Sequence, residues 1–172
     1  MIIVSEYTES DKGDGVITIH CNENCICPIS PVSHRDWKPR IMKLDGGQVV
    51  WLMIERRRCD NEGCRRLHSL LPDKLVPYKH YGSDLIAAVL DGDIMPEDTM
   101  NEDYPCDETI RHHWLMANFS RTEGYCRQAM SLLRNPGLAG AAILETIRKS
   151  CDRWLPAVLR MVYNSGGFLV SV

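Results

Sequence analysis

Cysteine is the residue type in this sequence with the most chemistry to offer. Eight thiols occur, at Cys21, Cys25, Cys27, Cys59, Cys64, Cys106, Cys126 and Cys151. A structural zinc site needs four soft or nitrogen ligands at tetrahedral angles, and chains often supply them as two knuckles joined by a β-hairpin. Cys59 and Cys64 have the spacing of one knuckle, with Asn61 and Gly63 between them to allow a tight turn. The other knuckle has three thiols for two places: Cys25 and Cys27 are the preferred pair, and Cys21 is a substitute for Cys25. His20, His34 and His68 are further possible ligands. The expected cofactor is one structural Zn2+ on Cys25, Cys27, Cys59 and Cys64. The competing reading is a set of buried thiols without metal, since cysteine is among the most buried residue types. Cys106, Cys126 and Cys151 have no ligand pattern around them and read as core residues.

The second set of residues with chemistry is basic. Arg56, Arg57 and Arg58 run directly into Cys59, and Arg65 and Arg66 follow Cys64. Cations beside a zinc knuckle suit contact with a phosphate backbone. Successive strand side chains point to opposite faces, which sets Arg57 against Arg56 and Arg58. A solvated edge strand guarded by charge is the plainer account of the same run.

These groups need elements to position them. Gly15 to His20 reads as a short strand, preceded by a polar and loosely held lead-in. Lys38 to Leu44 and Gln48 to Ile54 flank Asp45-Gly46-Gly47, a hairpin signal because glycine tolerates the positive φ of the turn. Leu71 to Tyr78, with two prolines, reads as an extended connector. After it the apolar period becomes helical. Leu85, Ile86, Val89 and Leu90 share one face, Ser83 is placed to cap, and Asp91-Gly92-Asp93 stops the helix. Further helices are expected from Pro105, from Ser120 to Arg134, over Ala139 to Ser150, and over Arg153 to Tyr163. In Asp107 to Phe119, Ile110, Trp114 and Leu115 would anchor a recognition helix, and Arg111, His112, Asn118 and Arg121 would face a groove or a phosphate. An ordinary solvated helix face is the alternative, because Asp107, Glu108 and the acids before them repel phosphate.

Composition is that of a soluble globular chain: 172 residues, 44% hydrophobic and 25% charged. No apolar run approaches the ~20 residues of a membrane span, and Met1 to Glu6 lacks the basic flank and apolar length of a signal peptide. A cytoplasmic protein with reduced or metal-bound cysteines is expected. The formal net charge of −3 rules out a general basic pull toward nucleic acid. Its distribution is uneven: between Arg35 and Lys79 basic residues outnumber acidic ones roughly two to one, while Asp84 to Glu108 contains acids and neither Lys nor Arg. No P-loop, HExxH, nucleophile elbow or dinucleotide fingerprint is present, and a non-catalytic protein is expected. His112 and His113 are neighbours on a helix, about 100° apart, and would not share one site.

Cys27-Pro28, Asp36-Trp37, Ile54 to Cys59, and Leu71-Pro72-Asp73 with Leu75 to Tyr81 together resemble a bacterial family of unknown function. That family occurs in Firmicutes and mobile elements and is similar to the zinc-ribbon plus helix-turn-helix front end of transposases. The connector, of the form LPD-x-LVPYK-x-Y, is the most specific part. Pro105 to Trp114 is similar to the family's PS-x-x-TIRRW helix start, with Cys106 in place of Ser. Ser30 stands where the family's CP-x-C knuckle has its second Cys, so either Cys25 or Cys21 has taken over that role or the zinc is weakened or lost.

The resemblance implies an α+β chain: a small zinc-ribbon-like antiparallel β domain with its connector, residues 1–80, followed by an all-α helix-turn-helix-like helical domain, residues 81–172. It implies a DNA-binding accessory or regulatory protein with double-stranded DNA as partner, reached through Arg56, Arg58, Arg65 and Arg66 and through the helix Asp107 to Phe119. The alternative is an adaptor or inhibitor, of phage origin, that meets a protein partner through the acidic loop Asp91 to Asp107.

Overall fold

The computed structural model describes residues 1–21, 31–94 and 141–164. These residues form six strands and three α-helices: β1 Ile2–Val4, β2 Tyr7–Asp11, β3 Val16–Cys21, β4 Val32–Lys43, β5 Val49–Cys59, β6 Leu67–Pro72, α1 Ser83–Asp91, α2 Ala141–Ser150 and α3 Trp154–Asn164.

The expected hairpin is the spine of the sheet. β4 and β5 pair antiparallel from Val32↔Cys59 to Lys43↔Val49, with a register shift between His34 and Asp36. The turn is where the Asp-Gly signal put it: Gly46 and Gly47 have φ of 69° and 74°, and Leu44 N–H donates to the Gln48 carbonyl at 2.8 Å. The free side of β5 is then shared. β3 lies parallel to its first half, Val16↔Trp51 to Ile19↔Ile54, while β6 lies antiparallel to its second half, Arg56↔Ser69 to Arg58↔Leu67. β2 extends the sheet beyond β3, and β1 pairs parallel with β6. Because β1 leads within a few residues into β2, the two branches are drawn toward each other and the mixed sheet curls into a half-barrel.

This architecture corrects the expected zinc-ribbon-like antiparallel β domain followed by an all-α helix-turn-helix-like domain. The described chain is mostly β, and two of its strand pairs are parallel. The first dozen residues, expected to be a loose lead-in, supply β1 and β2. The cause lies in pairing over long sequence separation. Three- and five-residue strands carry too little alternation to announce themselves, and become strands because a neighbour completes their hydrogen bonds.

The helices also bury their apolar faces against the sheet side of the molecule. Ile3 of β1 and Val76, just after β6, belong to one buried cluster with Ile86 and Val89 of α1 and Leu155, Val158, Leu159 and Val162 of α3. A second cluster, Ile19, Met42, Leu52, Ile54, Leu71 and Leu75, packs against one face of the sheet.

Local signals for the described helices hold with small shifts, while the helices expected from Pro105 and over Ser120 to Arg134 lie outside the described residues. Gly82, not Ser83, is the N-cap of α1, and Ser83 is its first helical residue. Gly92 ends it in the left-handed region at φ 84°, as the Asp91-Gly92-Asp93 stop suggested. Pro156 is tolerated in the first turn of α3, where no intrahelical N–H donor is needed. Asp91 at the end of α1 holds both later helices: it pairs with Arg148 of α2 and accepts from Trp154 Nε1 of α3 at 2.7 Å. Asn164, the last residue of α3, clasps β1, accepting from Ile3 N–H at 2.8 Å and donating to the Ile3 carbonyl at 2.9 Å. The expected recognition helix, Asp107 to Phe119, and most of the acidic loop lie outside the described residues.

Candidate nucleic-acid interface beside the Cys59–Cys64 loop

β5 delivers the basic run to the end of the sheet where β4 begins and the loop to β6 leaves. Residues 60–66 form a closed turn. Cys59 N–H donates to the Arg66 carbonyl at 2.9 Å, and the N–H groups of Cys64 and Arg65 both donate to the Asn61 carbonyl, at 3.0 and 2.9 Å. The Asn61 side chain accepts from Gly63 N–H at 2.8 Å. Arg65 sits at φ 49°, a left-handed conformation that a non-glycine residue adopts only when its surroundings impose it. Asp60 N–H donates to the Pro31 carbonyl at 3.0 Å and its carboxylate accepts from Ser33 Oγ at 2.6 Å, tying the turn to the start of β4.

The arginines have different fates. Arg56 lies opposite Asp36 in the β4–β5 register and binds it in a two-pronged pair, Nε to Oδ1 and Nη2 to Oδ2, both 2.5 Å. The hydrogen bonds from Arg56 hold the Asp36 carboxyl below its ordinary range. Arg57, on the opposite face, makes the same kind of fork with Glu55, at 2.8 and 3.1 Å, and donates to the Cys21 carbonyl at 3.3 Å. Glu55 is buried, which opposes its ionisation, but the hydrogen bonds from Arg57 and from His34 Nδ1 at 3.3 Å outweigh this and hold its carboxyl below the ordinary range. These two guanidinium groups therefore have their bidentate geometry already occupied.

Arg58, Arg65 and Arg66 differ. Among the described residues no carboxylate pairs with any of them, Arg65 and Arg66 are exposed, and the buried Nε of Arg58 has no hydrogen-bond partner. Asp60 and Glu62 are the acids of the same turn. The arrangement leaves a small net-positive prominence at one end of the sheet. Arg111, His112, Asn118 and Arg121 lie outside the described residues.

Of the expected zinc ligands, Cys59 is fully buried just before the closed turn and Cys64 is half-buried within it. The substitute Cys21 ends β3 on the same end of the sheet and is buried against Val4 and Leu70. Cys25 and Cys27 lie outside the described residues. Among the described residues no group of three or more His, Cys, Asp or Glu side chains is placed to hold a metal ion. Cys59 and Cys64 are the two of the four preferred ligands that lie among the described residues.

A further constellation escaped the sequence. The β3–β5 and β4–β5 registers put Val16, Trp51, Met53, Glu55 and Trp37 on one face of the sheet. The Trp37 ring contacts two histidines, His20 edge-on at 5.3 Å and His34 tilted at 5.3 Å. His20 Nε2 and Ser10 Oγ are 3.0 Å apart. Only the parallel pairing of β3 with β5 brings His20 to Trp37, and residues 17 positions apart give no local sign of it.

Among the described residues no helix is long and apolar enough to cross a membrane. No curated protein and no solved structure matches the chain. A family model does: a domain of unknown function (DUF6431) covers residues 25–114, which include all of β4, the Cys59–Cys64 turn and α1. That span is just over half of the 172-residue chain, and the chain belongs to this family.

Proposed function

We propose that this is a non-catalytic DNA-binding protein, an accessory or regulatory factor of the kind found beside transposases in mobile elements, which holds duplex backbone with the turn after β5. One observation carries the reading: Arg58, Arg65 and Arg66 share one end of the sheet without carboxylate partners among the described residues, while Arg56 and Arg57 are consumed by Asp36 and Glu55. Arg65 and Arg66, exposed on a closed turn, are suited to phosphates, which give affinity without reading sequence. Arg56 then belongs to the scaffold that aims the turn, in place of the phosphate contact its position in the sequence suggests.

In the same reading the turn is one knuckle of a structural zinc site. Cys59 and Cys64 supply two thiolates, and the sequence offers Cys25, Cys27 or Cys21 for the rest. A bound zinc would cross-link the turn and fix the direction of Arg65 and Arg66, and it has no catalytic part.

The test is a salt titration of binding to a random-sequence duplex. Log affinity falls with log salt at a slope of about 0.9 per neutralised phosphate. The double variant R65A/R66A is expected to lower that slope by about 2 and to weaken binding at low salt, with its melting point unchanged because both side chains are exposed. Duplex affinity and slope identical to the parent protein would overturn the proposal.

A further inference from the structure

The face of the sheet opposite the second core cluster has a composition that the basic turn does not explain. Trp51 is 46% exposed although it lies mid-sheet, with Met53 next to it on the same face and Trp37 across the strand from Glu55. Between Trp37 and the β2–β3 turn lies a cleft of about 360 Å3, whose walls are Trp37, Met53 and Val16 on the apolar side and Ser10, Thr18 and His20 on the polar side. A large indole left in water costs apolar hydration. A second tryptophan, Trp37, lies on the same face farther along the β4–β5 ladder, opposite Glu55 and in ring contact with His20 and His34.

We propose that this face binds an unpaired stretch of single-stranded DNA, stacking bases on Trp51 and Trp37; the inference rests on the DNA reading above and names a second mode of it. Three features select this occupant. An unpaired base offers a flat apolar face and polar edges, which matches indoles bordered by Ser10, Thr18 and His20; a duplex keeps those base faces stacked internally. The carboxylates on or beside this face do not repel a backbone at the Trp37 end, because Glu55 is neutralised by Arg57 and Asp36 lies between Arg56 and Arg35, the latter at 3.6 Å. At the opposite end, where β2 turns into β3, Lys12 lines the cleft beside Asp14 and offers a cation to the strand's backbone. Beyond the other end of β5 the exposed Arg65 and Arg66 offer further cations, whereas Arg58 projects from the face opposite Trp51.

The experiment uses the full chain with a fluorescein-labelled oligo(dT) and, separately, a duplex, both followed by anisotropy. W51A and W37A are each expected to weaken oligo(dT) binding roughly tenfold or more, with duplex affinity unchanged. Trp51 is half exposed and its removal leaves the core clusters intact; if W51A nonetheless melts early, W51L, which keeps apolar bulk without a π face, is expected to show the same loss and W51F to retain binding. Failure of the parent protein to bind oligo(dT), or equal affinity in the parent and tryptophan variants, would refute the inference. The two readings separate cleanly: duplex binding that depends on Arg65 and Arg66 without oligo(dT) binding removes this inference alone, and tryptophan-dependent oligo(dT) binding without duplex binding removes the duplex reading alone.

Discussion

Replacing Asn164 by alanine tests whether the first strand is a structural part of the molecule. Asn164 closes a loop of the whole described chain: its amide oxygen accepts from Ile3 N–H at 2.8 Å and its amide nitrogen donates to the Ile3 carbonyl at 2.9 Å. Ile3 is 1% exposed and sits in the cluster that includes Leu155, Val158 and Leu159. Each lost hydrogen bond costs about 0.5–1.5 kcal/mol net, and a buried backbone group left without a partner costs more, so N164A should destabilise by about 2 kcal/mol. With a urea m-value of about 2 kcal/mol/M, the midpoint would move down by about 1 M. Asn164→Asp sharpens the point. A carboxylate can still accept from Ile3 N–H, but its second oxygen meets the Ile3 carbonyl, so at neutral pH it should be at least as damaging as alanine. Urea unfolding followed by far-UV circular dichroism provides the measurement. A midpoint for N164A within about 0.3 M of the parent would refute the view that α3 and β1 are energetically joined.

Glu55→Gln leaves the Arg57 fork facing a neutral amide and should cost about 2 kcal/mol at pH 7, since hydrogen bonds to charged partners are worth about 1.5–3 kcal/mol. Because the hydrogen bonds from Arg57 and His34 hold the Glu55 carboxyl below its ordinary value of 4.5, its contribution is present above that pH and is lost on acidification; the gap between parent and variant should close below pH 4.5, and a pH-independent gap would contradict the assignment. Tyr7 is pushed up to about 12 by burial and then by the charges of Asp73 and Glu9. A folded state that keeps this proton better than the unfolded chain is stabilised below pH 10 and loses that advantage as pH rises toward 12, so stability should fall over this window more steeply in the parent than in Y7F; parallel curves would disprove it. For the zinc reading, protein purified without chelator should carry about one zinc per chain, and Cys64→Ser should lower the metal content and the melting point together. Metal-free protein with a melting point insensitive to chelator would exclude it.

The sequence by itself determined what is local. Asp45-Gly46-Gly47 specified the β4–β5 hairpin, because only residues tolerant of positive φ close that turn. Asn61 and Gly63 specified the turn between Cys59 and Cys64, and the spacing of Leu85, Ile86 and Val89 specified α1. The alternation of strand side chains set Arg57 apart from Arg56 and Arg58. Tertiary structure alone decided the partners. Asp36 takes Arg56 because the hairpin register sets them opposite, 20 residues apart. His20 reaches Trp37 because β3 runs parallel to β5, and Met1 to Asp11 becomes part of the sheet because β6 and β3 complete its hydrogen bonds. The expected division into a ribbon and an all-α half failed for the same reason: the apolar faces of α1 and α3 are legible in sequence, but nothing in a helical period says that one of the surfaces they will cover is a three-residue parallel strand at the other end of the chain.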